Sequence, residues 1–309
     1  MALDFGGLIP ATVLPMTRDA RPDESALRRY IRWVADQGVV GVAINVDTGE
    51  SAHLTHAEKT RVLEVVREEL PGGVFMVAGV AGPYTEAAVQ QARDYKVAGA
   101  DAFLVFPIPA YLSSPLDPEI PLRYHRAIAE VGVPLILFQL QPALGGCLFD
   151  PDLIRSLAGI DGVVAIKEAS FDARRYMDVV ATVRSLDRPI AVLTGDDNFI
   201  YESFVLGAEG ALIGFGAIMV REQVELIRLA RERRWDDVGD LASRVQRLAD
   251  VVFAPPVANY RARLKEALVM LGVLDNATVR EPLLPIPASE RALLRATLGE
   301  VRLLQAVAT

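Results

Sequence analysis

The feature that most constrains this chain is an alternation. Eight short apolar runs recur at residues 7–14 (GLIPATVL), 39–46, 73–80, 100–107, 133–140, 161–169, 189–195 and 209–216. Between them lie helix-length segments such as ESALRRYIRWVADQG (24–38) and HAEKTRVLEVVREEL (56–70), with apolar residues every three or four positions and Gly or Pro just past the end. Continuously apolar strands separated by helices predict a parallel sheet covered on both faces. Eight such units predict an α/β fold of the closed (β/α)8 barrel type in preference to a doubly wound open sheet. Eight is the number that closes, and no GxGxxG follows the first run.

From about residue 225 the strand-like runs stop. The helical patterns at 223–253 and 259–274 (NYRARLKEALVMLGVL), the Pro-rich bend EPLLPIP (281–287) and a last helical pattern at 288–305 are too long for one closing helix. They predict a C-terminal α-helical extension. The expected division is a barrel over 1–225 carrying the active site and a helical domain over 226–309, with the eighth barrel helix running into the boundary.

Composition excludes several classes of function. A net charge of −8 and the lack of any basic tract argue against nucleic acid or an anionic membrane as partner. The single Cys147 cannot close an internal disulfide, and His53, His56 and His125 suggest no third metal ligand. The N-terminal MALDFGGLIP has neither a basic region nor a long apolar core, and no apolar run reaches membrane-spanning length. The expectation is a soluble, cytoplasmic protein.

In such a barrel, reacting groups sit at the C-terminal ends of strands and in the loops that follow. The stretch VVAIKEAS (163–170) sets Lys167, one of only four lysines, near the end of the sixth strand. By the two-residue period Val163, Ala165 and Lys167 share a face, so Lys167 points into the barrel if Val163 does. Apolar walls strip hydration from an ammonium, lower its pKa and leave a neutral amine able to form an imine with a ketone. The competing reading is a buried lysine paired structurally with Glu168 or another carboxylate. After the second strand, NVDTGESAHLTHAEK (45–59) offers Gly49 for a tight turn and Thr48, with neighbouring amides, to hold a carboxylate at the barrel mouth. The same stretch also reads as ordinary helix initiation, with Thr55 as N-cap and Glu58 completing a capping box.

Together, GLIPATVLP at the start, TGE after the second strand, IKEAS on the sixth, TGDD (194–197) after the seventh and KEALVMLG (265–272) make a combination more specific than its parts. In it the chain resembles, throughout its length, the dihydrodipicolinate synthase and N-acetylneuraminate lyase family. The resemblance implies a class I, lysine-dependent lyase, of aldolase or dehydratase type, acting on pyruvate or another 2-keto acid without metal or organic cofactor. It also implies a homo-oligomer, dimer or tetramer. By resemblance Lys167 is the imine-forming residue, Thr48 the second of two hydroxyl residues that hold the keto acid's carboxylate, and Gly195 and Leu212 positions where backbone lines the pocket. Tyr111, after the fourth strand, falls near the tyrosine that members lend across a subunit interface; its other reading is a simple loop tyrosine.

Three departures bear on function. Most members carry a tyrosine at the end of the fifth strand whose phenol relays protons. Here the stretch is FQLQPALGG, and the phenyl ring of Phe138 exchanges no proton. The arginine that binds the aldehyde's carboxylate in dihydrodipicolinate synthase is replaced by a loop reading Gln141, Pro142, Ala143, Leu144. Asp47 stands at the first hydroxyl position, where it either takes over acid–base duty, contacts a cationic or polyhydroxylated substrate tail, or caps the loop through an Asx turn. Gln139 and Gln141 offer neutral hydrogen-bonding groups. Glu50 is expected to fix its turn, and Asp196 and Asp197 to cap the next helix.

Three functions follow: a Lys167 lyase, a keto-acid-binding or non-catalytic relative, and dihydrodipicolinate synthase activity with an altered relay. Retention of Lys167 beside Thr48 favours the first, because a pure binding protein has no need of a desolvated amine.

Overall fold

The computed structural model describes residues 3–112 and 115–304. Eight strands form one parallel sheet: β1 (Leu8–Pro10), β2 (Gly41–Ile44), β3 (Phe75–Val80), β4 (Ala102–Val105), β5 (Leu135–Leu140), β6 (Val163–Ala169), β7 (Ala191–Thr194) and β8 (Gly210–Ile213). Each lies inside the apolar run expected to hold it; the runs overshoot because their ends turn into loops. β1 pairs with β8, and the gap to β2 is closed by Val40 N–H donating to Leu8 O and Thr12 N–H to Ala43 O, both at 3.1 Å. The fold is a (β/α)8 barrel.

Helices α1 (Glu24–Ala35), α2 (His56–Glu69), α3 (Thr85–Val97), α4 (Glu119–Ala129), α5 (Pro151–Ala158), α6 (Ala173–Arg184), α7 (Ile200–Leu206) and α8 (Val220–Arg231) surround it. Their starts follow local chemistry. Asp23, Asp150 and Asp172 accept backbone N–H groups as N-caps, and Thr55 with Glu58 forms the reciprocal capping box read from the sequence. Two apolar clusters explain the continuously apolar strands. One fills the barrel interior, with Ile9, Val77, Leu104, Ile136, Leu193 and Leu212; the other lies between sheet and helices.

The face of β6 departs from strict alternation. The pairing with β5 is irregular: Leu135 faces Val163 but Ile136 faces Ala165. Val163 therefore packs with Ile166 in the outer cluster, while Ala165 and Ala169 belong to the interior. Lys167 shares its face with those two alanines; the premise that Val163 shares it is corrected by this register shift.

The C-terminal extension comprises α9 (Gly239–Val252), α10 (Tyr260–Met270) and α11 (Ala288–Glu300). The helical pattern of 223–253 is broken between α8 and α9 by Arg233, at φ 57°, and a short turn at Trp235–Asp237. Position 225, the expected boundary, falls inside α8. Residue 305, the end of the last expected helix, lies outside the described residues, as do Ser113 and Ser114 of the loop after β4.

The extension is fixed to the loop after β2. Glu50, 1% exposed, receives the Lys265 ammonium and, at 2.8 Å, the Arg280 N–H. Arg280 then clamps Glu58 at 2.8 Å. Glu50 also carries the left-handed conformation of this loop (φ 57°), a role expected of Gly49. Gly49 is needed for closeness instead: a Cβ there would stand 3.2 Å from Thr12 O. Among the described residues no helix is long and apolar enough to cross a membrane.

Candidate active site

Lys167 comes off the C-terminal end of β6 beside Phe138 of β5, its register partner. Its Nζ stands 4.3 Å from the Phe138 ring centroid, a cation–π distance. Among the described residues Lys167 has no hydrogen-bond or ion-pair partner. The contrast is Lys265, 0% exposed, whose ammonium is taken up by Glu50 and by Thr278 O at 2.7 Å. The paired, structural reading of a buried lysine thus describes Lys265. Glu168, the other proposed partner for Lys167, is engaged elsewhere, accepting from Gln139 Nε2 at 2.8 Å and Ser170 N at 3.2 Å. Burial lowers the Lys167 pKa to about 8, against the upward pull of Asp197, Asp47 and Asp196.

The amine faces a narrow cavity of about 40 Å³ whose wall includes Thr48, Asp47, Phe138, Gly195, Asp197, Gly214 and Tyr260. Gly195 is there for room: a Cβ would come within 2.6 Å of Lys167 Cε. Asp197 is buried and accepts from Phe215 N at 2.8 Å; burial raises its pKa to about 7, moderated by that bond and by Lys167. Asp196 accepts from Phe171 N at 2.6 Å, and its acidity is suppressed by burial and by the neighbouring Glu168. Neither aspartate caps α7, which starts after Phe199 with no side-chain cap. The capping expectation is corrected: both side chains are engaged by backbone of other loops, at Phe171 and Phe215.

Asp47 is paired. Its Oδ2 lies 2.8 Å from Arg261 Nη2, and Arg261 Nε donates to Asp47 O at 2.7 Å. Thr48 Oγ1 lies 3.4 Å from the hydroxyl of Tyr260, the first residue of α10. The Tyr260 ring stacks on Phe253 at 4.9 Å and carries the Arg261 guanidinium 4.7 Å from its centroid. Gly214 leaves room beside them: a Cβ there would crowd Phe253 Cζ and Thr48 Oγ1, each at 3.2 Å. Burial, with Asp47 nearby, raises the Tyr260 pKa, so the phenol stays protonated. Sequence reasoning missed Tyr260, Arg261 and Asp197. The signals were NYR ahead of KEALVMLG and the second aspartate of TGDD.

Three expected residues do not reach this wall. Gly49 lies in the turn after β2, close to Thr12 O and outside the cavity lining. Leu212 is buried in the interior packing of the barrel. Tyr111 is 1% exposed among Tyr124, His125 and Phe149, outside the cavity lining, its hydroxyl without a hydrogen-bond partner among the described residues. The histidines are dispersed: His56 pairs with Asp94 at 2.7 Å, and burial lowers the pKa of His125 to about 4. Among the described residues no three His, Cys, Asp or Glu side chains form a potential metal site.

The model of the dihydrodipicolinate synthetase family matches residues 4–301. The 4-hydroxy-tetrahydrodipicolinate synthase of Methanothrix thermoacetophila is 30% identical over 297 residues, covering 96% of this chain and 97% of that one. That of Methanothermobacter thermautotrophicus is 31% identical over 273 residues, covering 86% and 92%. The crystal structure of dihydrodipicolinate synthase from Acinetobacter baumannii in complex with pyruvate superposes with a TM-score of 0.86 at 27% identity, over 97% of this chain and all of that one. On the span of the family match and the identity to these relatives, the chain belongs to the dihydrodipicolinate synthetase family.

Proposed function

We propose that the protein is a Schiff-base-forming lyase, of aldolase or dehydratase type, acting on pyruvate or another 2-keto acid through Lys167. The observation that carries this reading is a buried amine with no partner, its pKa lowered to about 8, facing a cavity. The names of the relatives, and the pyruvate in the Acinetobacter baumannii structure, support the keto acid as substrate.

In this reading the neutral Lys167 amine adds to the ketone carbon and, with one proton taken up from solvent and returned there when the iminium is finally hydrolysed, water leaves to give an iminium. The new cation needs a counter-charge in an apolar cavity, and Asp197, with a pKa of about 7, supplies it. Asp197 then takes the proton from C3, so iminium and carboxylate are discharged together into enamine and carboxylic acid. The enamine carbon attacks an aldehyde, forming the C–C bond, and the Tyr260 hydroxyl gives its proton to the resulting alkoxide. The proton on Asp197 returns to Tyr260, and water hydrolyses the imine to release Lys167.

Tyr260 is the phenol of this cavity and stands in for the tyrosine replaced by Phe138. Thr48, with its hydroxyl 3.4 Å from that of Tyr260, holds the keto acid's carboxylate. Asp47, held by Arg261, serves to position the loop and Tyr260. A cytoplasmic homo-oligomer, working without metal or organic cofactor, and a division into barrel and helical domain belong to the same proposal. Dihydrodipicolinate synthesis proper is the second reading, favoured by the names of the relatives.

The test is intact mass and peptide mapping after incubation with pyruvate and sodium borohydride. An adduct on Lys167, absent from Lys167→Ala, is the expected result. No adduct with pyruvate or longer 2-keto acids would put the binding-protein reading ahead.

A further inference from the structure

Resting on the lyase reading, we infer that the carbonyl partner of the keto acid is an aldehyde with a compact, uncharged hydrocarbon tail, alkyl or aryl. Equivalently, in the cleavage direction, the substrate is a 4-hydroxy-2-keto acid with such a group on C4.

Three independent features of the cavity lead there. The first is its lining. Apart from Asp47 and the groups assigned to the keto acid and the proton steps, the wall is apolar, and its large side chains are Phe106, Phe138, Leu140, Leu144, Phe171 and Phe253. Phe106 and Phe138 meet edge to face at 4.9 Å and 86°, so two of these rings form a fixed corner. An apolar tail gains by leaving water against such a surface, whereas a hydroxyl finds there only Asp47, which Arg261 already engages, and a carboxylate finds no free donor side chain beyond the groups assigned above.

The second is charge. Lys167 is the one Lys or Arg among the lining residues, and it is consumed by the imine; the two charged groups besides it are Asp47 and Asp197. Arg261, the nearest guanidinium described at the mouth, is already bound to Asp47 through both side chain and backbone. An aldehyde bearing its own carboxylate therefore meets no free cation to pair with it.

The third is how Phe171 is held. It adopts a left-handed conformation (φ 61°), which a bulky side chain rarely takes, and its N–H is fixed by the buried Asp196 carboxyl at 2.6 Å. Phe171, anchored in this way, is one of the residues that line the cavity. The volume of about 40 Å³ restricts the tail to a compact one entering from the mouth.

The chemistry balances as written above: one C–C bond forms between the enamine carbon and the aldehyde carbon, the C3 proton ends on the former carbonyl oxygen, and water restores the amine. No oxidant or reductant takes part.

The experiment measures kcat/KM for condensation of pyruvate with isobutyraldehyde, benzaldehyde, succinic semialdehyde and glyceraldehyde, alongside borohydride trapping of the Lys167 adduct by pyruvate alone. The expected result is a preference for at least one hydrocarbon aldehyde over both polar aldehydes by about tenfold or more. Leu144→Arg, which adds a cation to the loop after β5, should shift the ratio of succinic semialdehyde to isobutyraldehyde upward by about tenfold. An adduct accompanied by preference for the carboxylate or polyhydroxy aldehyde, or by no turnover of any aldehyde, overturns the inference while leaving Lys167 chemistry standing. Absence of the adduct overturns the lyase reading and this inference with it.

Discussion

Thr48 and Tyr260, separated by 212 positions in the chain, bring their hydroxyl groups to 3.4 Å from each other on the wall of the Lys167 cavity. The barrel supplies one and the C-terminal extension the other. In the proposed mechanism the phenol therefore comes from the C-terminal extension and not from the fifth strand, which carries Phe138.

Tyr260→Phe should therefore separate imine formation from turnover. The borohydride adduct on Lys167 still forms, while kcat falls by about 10²–10³, as loss of a proton-transferring group does. Equal turnover of the variant and the parent protein would remove Tyr260 from the relay.

The pH dependence has a defined sign. Imine formation needs Lys167 neutral, which occurs above about 8, and Asp197 ionised, which occurs above about 7. Log kcat/KM for the keto acid should climb from pH 6, bend at about pH 8, about two and a half pH units below the bend an ordinary lysine would give, and level off by about pH 9. A profile still rising at pH 10 contradicts the desolvated amine.

Gly195→Ala tests the space beside the amine. The added methyl would lie 2.6 Å from Lys167 Cε, with the Glu168 carbonyl oxygen at 2.8 Å leaving it little room to move. Adduct formation should fall by about tenfold or more at unchanged circular dichroism, since displacement of a reacting atom by an ångström carries a penalty of that order or larger.

Lys167→Met should abolish the adduct and yet stabilise the fold. A lysine whose folded pKa is about 8 against 10.5 when free is unfavourable to the folded state at neutral pH, and the penalty fades as pH rises from about 8 to 10.5. The variant should gain about 1–3 kcal/mol at pH 7 in urea unfolding, and less at pH 10.

Lys265→Met should do the reverse. Removing one partner of a buried pair leaves Glu50 charged in the interior, and about 3–5 kcal/mol of stability is lost. Opposite signs for two buried lysines, read by the same denaturant titration, would separate the functional from the structural one. Loss of stability in both would mean that Lys167 also has a partner.

Much of the barrel was legible because strands buried on both faces write continuous apolar runs, and the eightfold count restricts how they close. Lys167 stood out for a related reason: a cation near the end of such a run is hard to place unless it faces a cavity. What stayed hidden depends on docking. The pattern around Tyr260 reads as any amphipathic helix start, and no local signal says that its hydroxyl comes to lie beside that of Thr48. Val163 misled because a register shift beside it interrupts the period of two. Asp196 and Asp197 misled because acidic residues before a helix usually cap it; here each carboxylate satisfies backbone from a different loop.

The position of Tyr260 late in the chain also orders events in time. A ribosome finishes all eight strands, the lysine and the Thr48 loop before it adds the segment that carries the phenol. In the proposed mechanism the amine and Asp197 are therefore synthesised before the phenol, and Tyr260 stands beside Thr48 only once α10 has docked on the barrel.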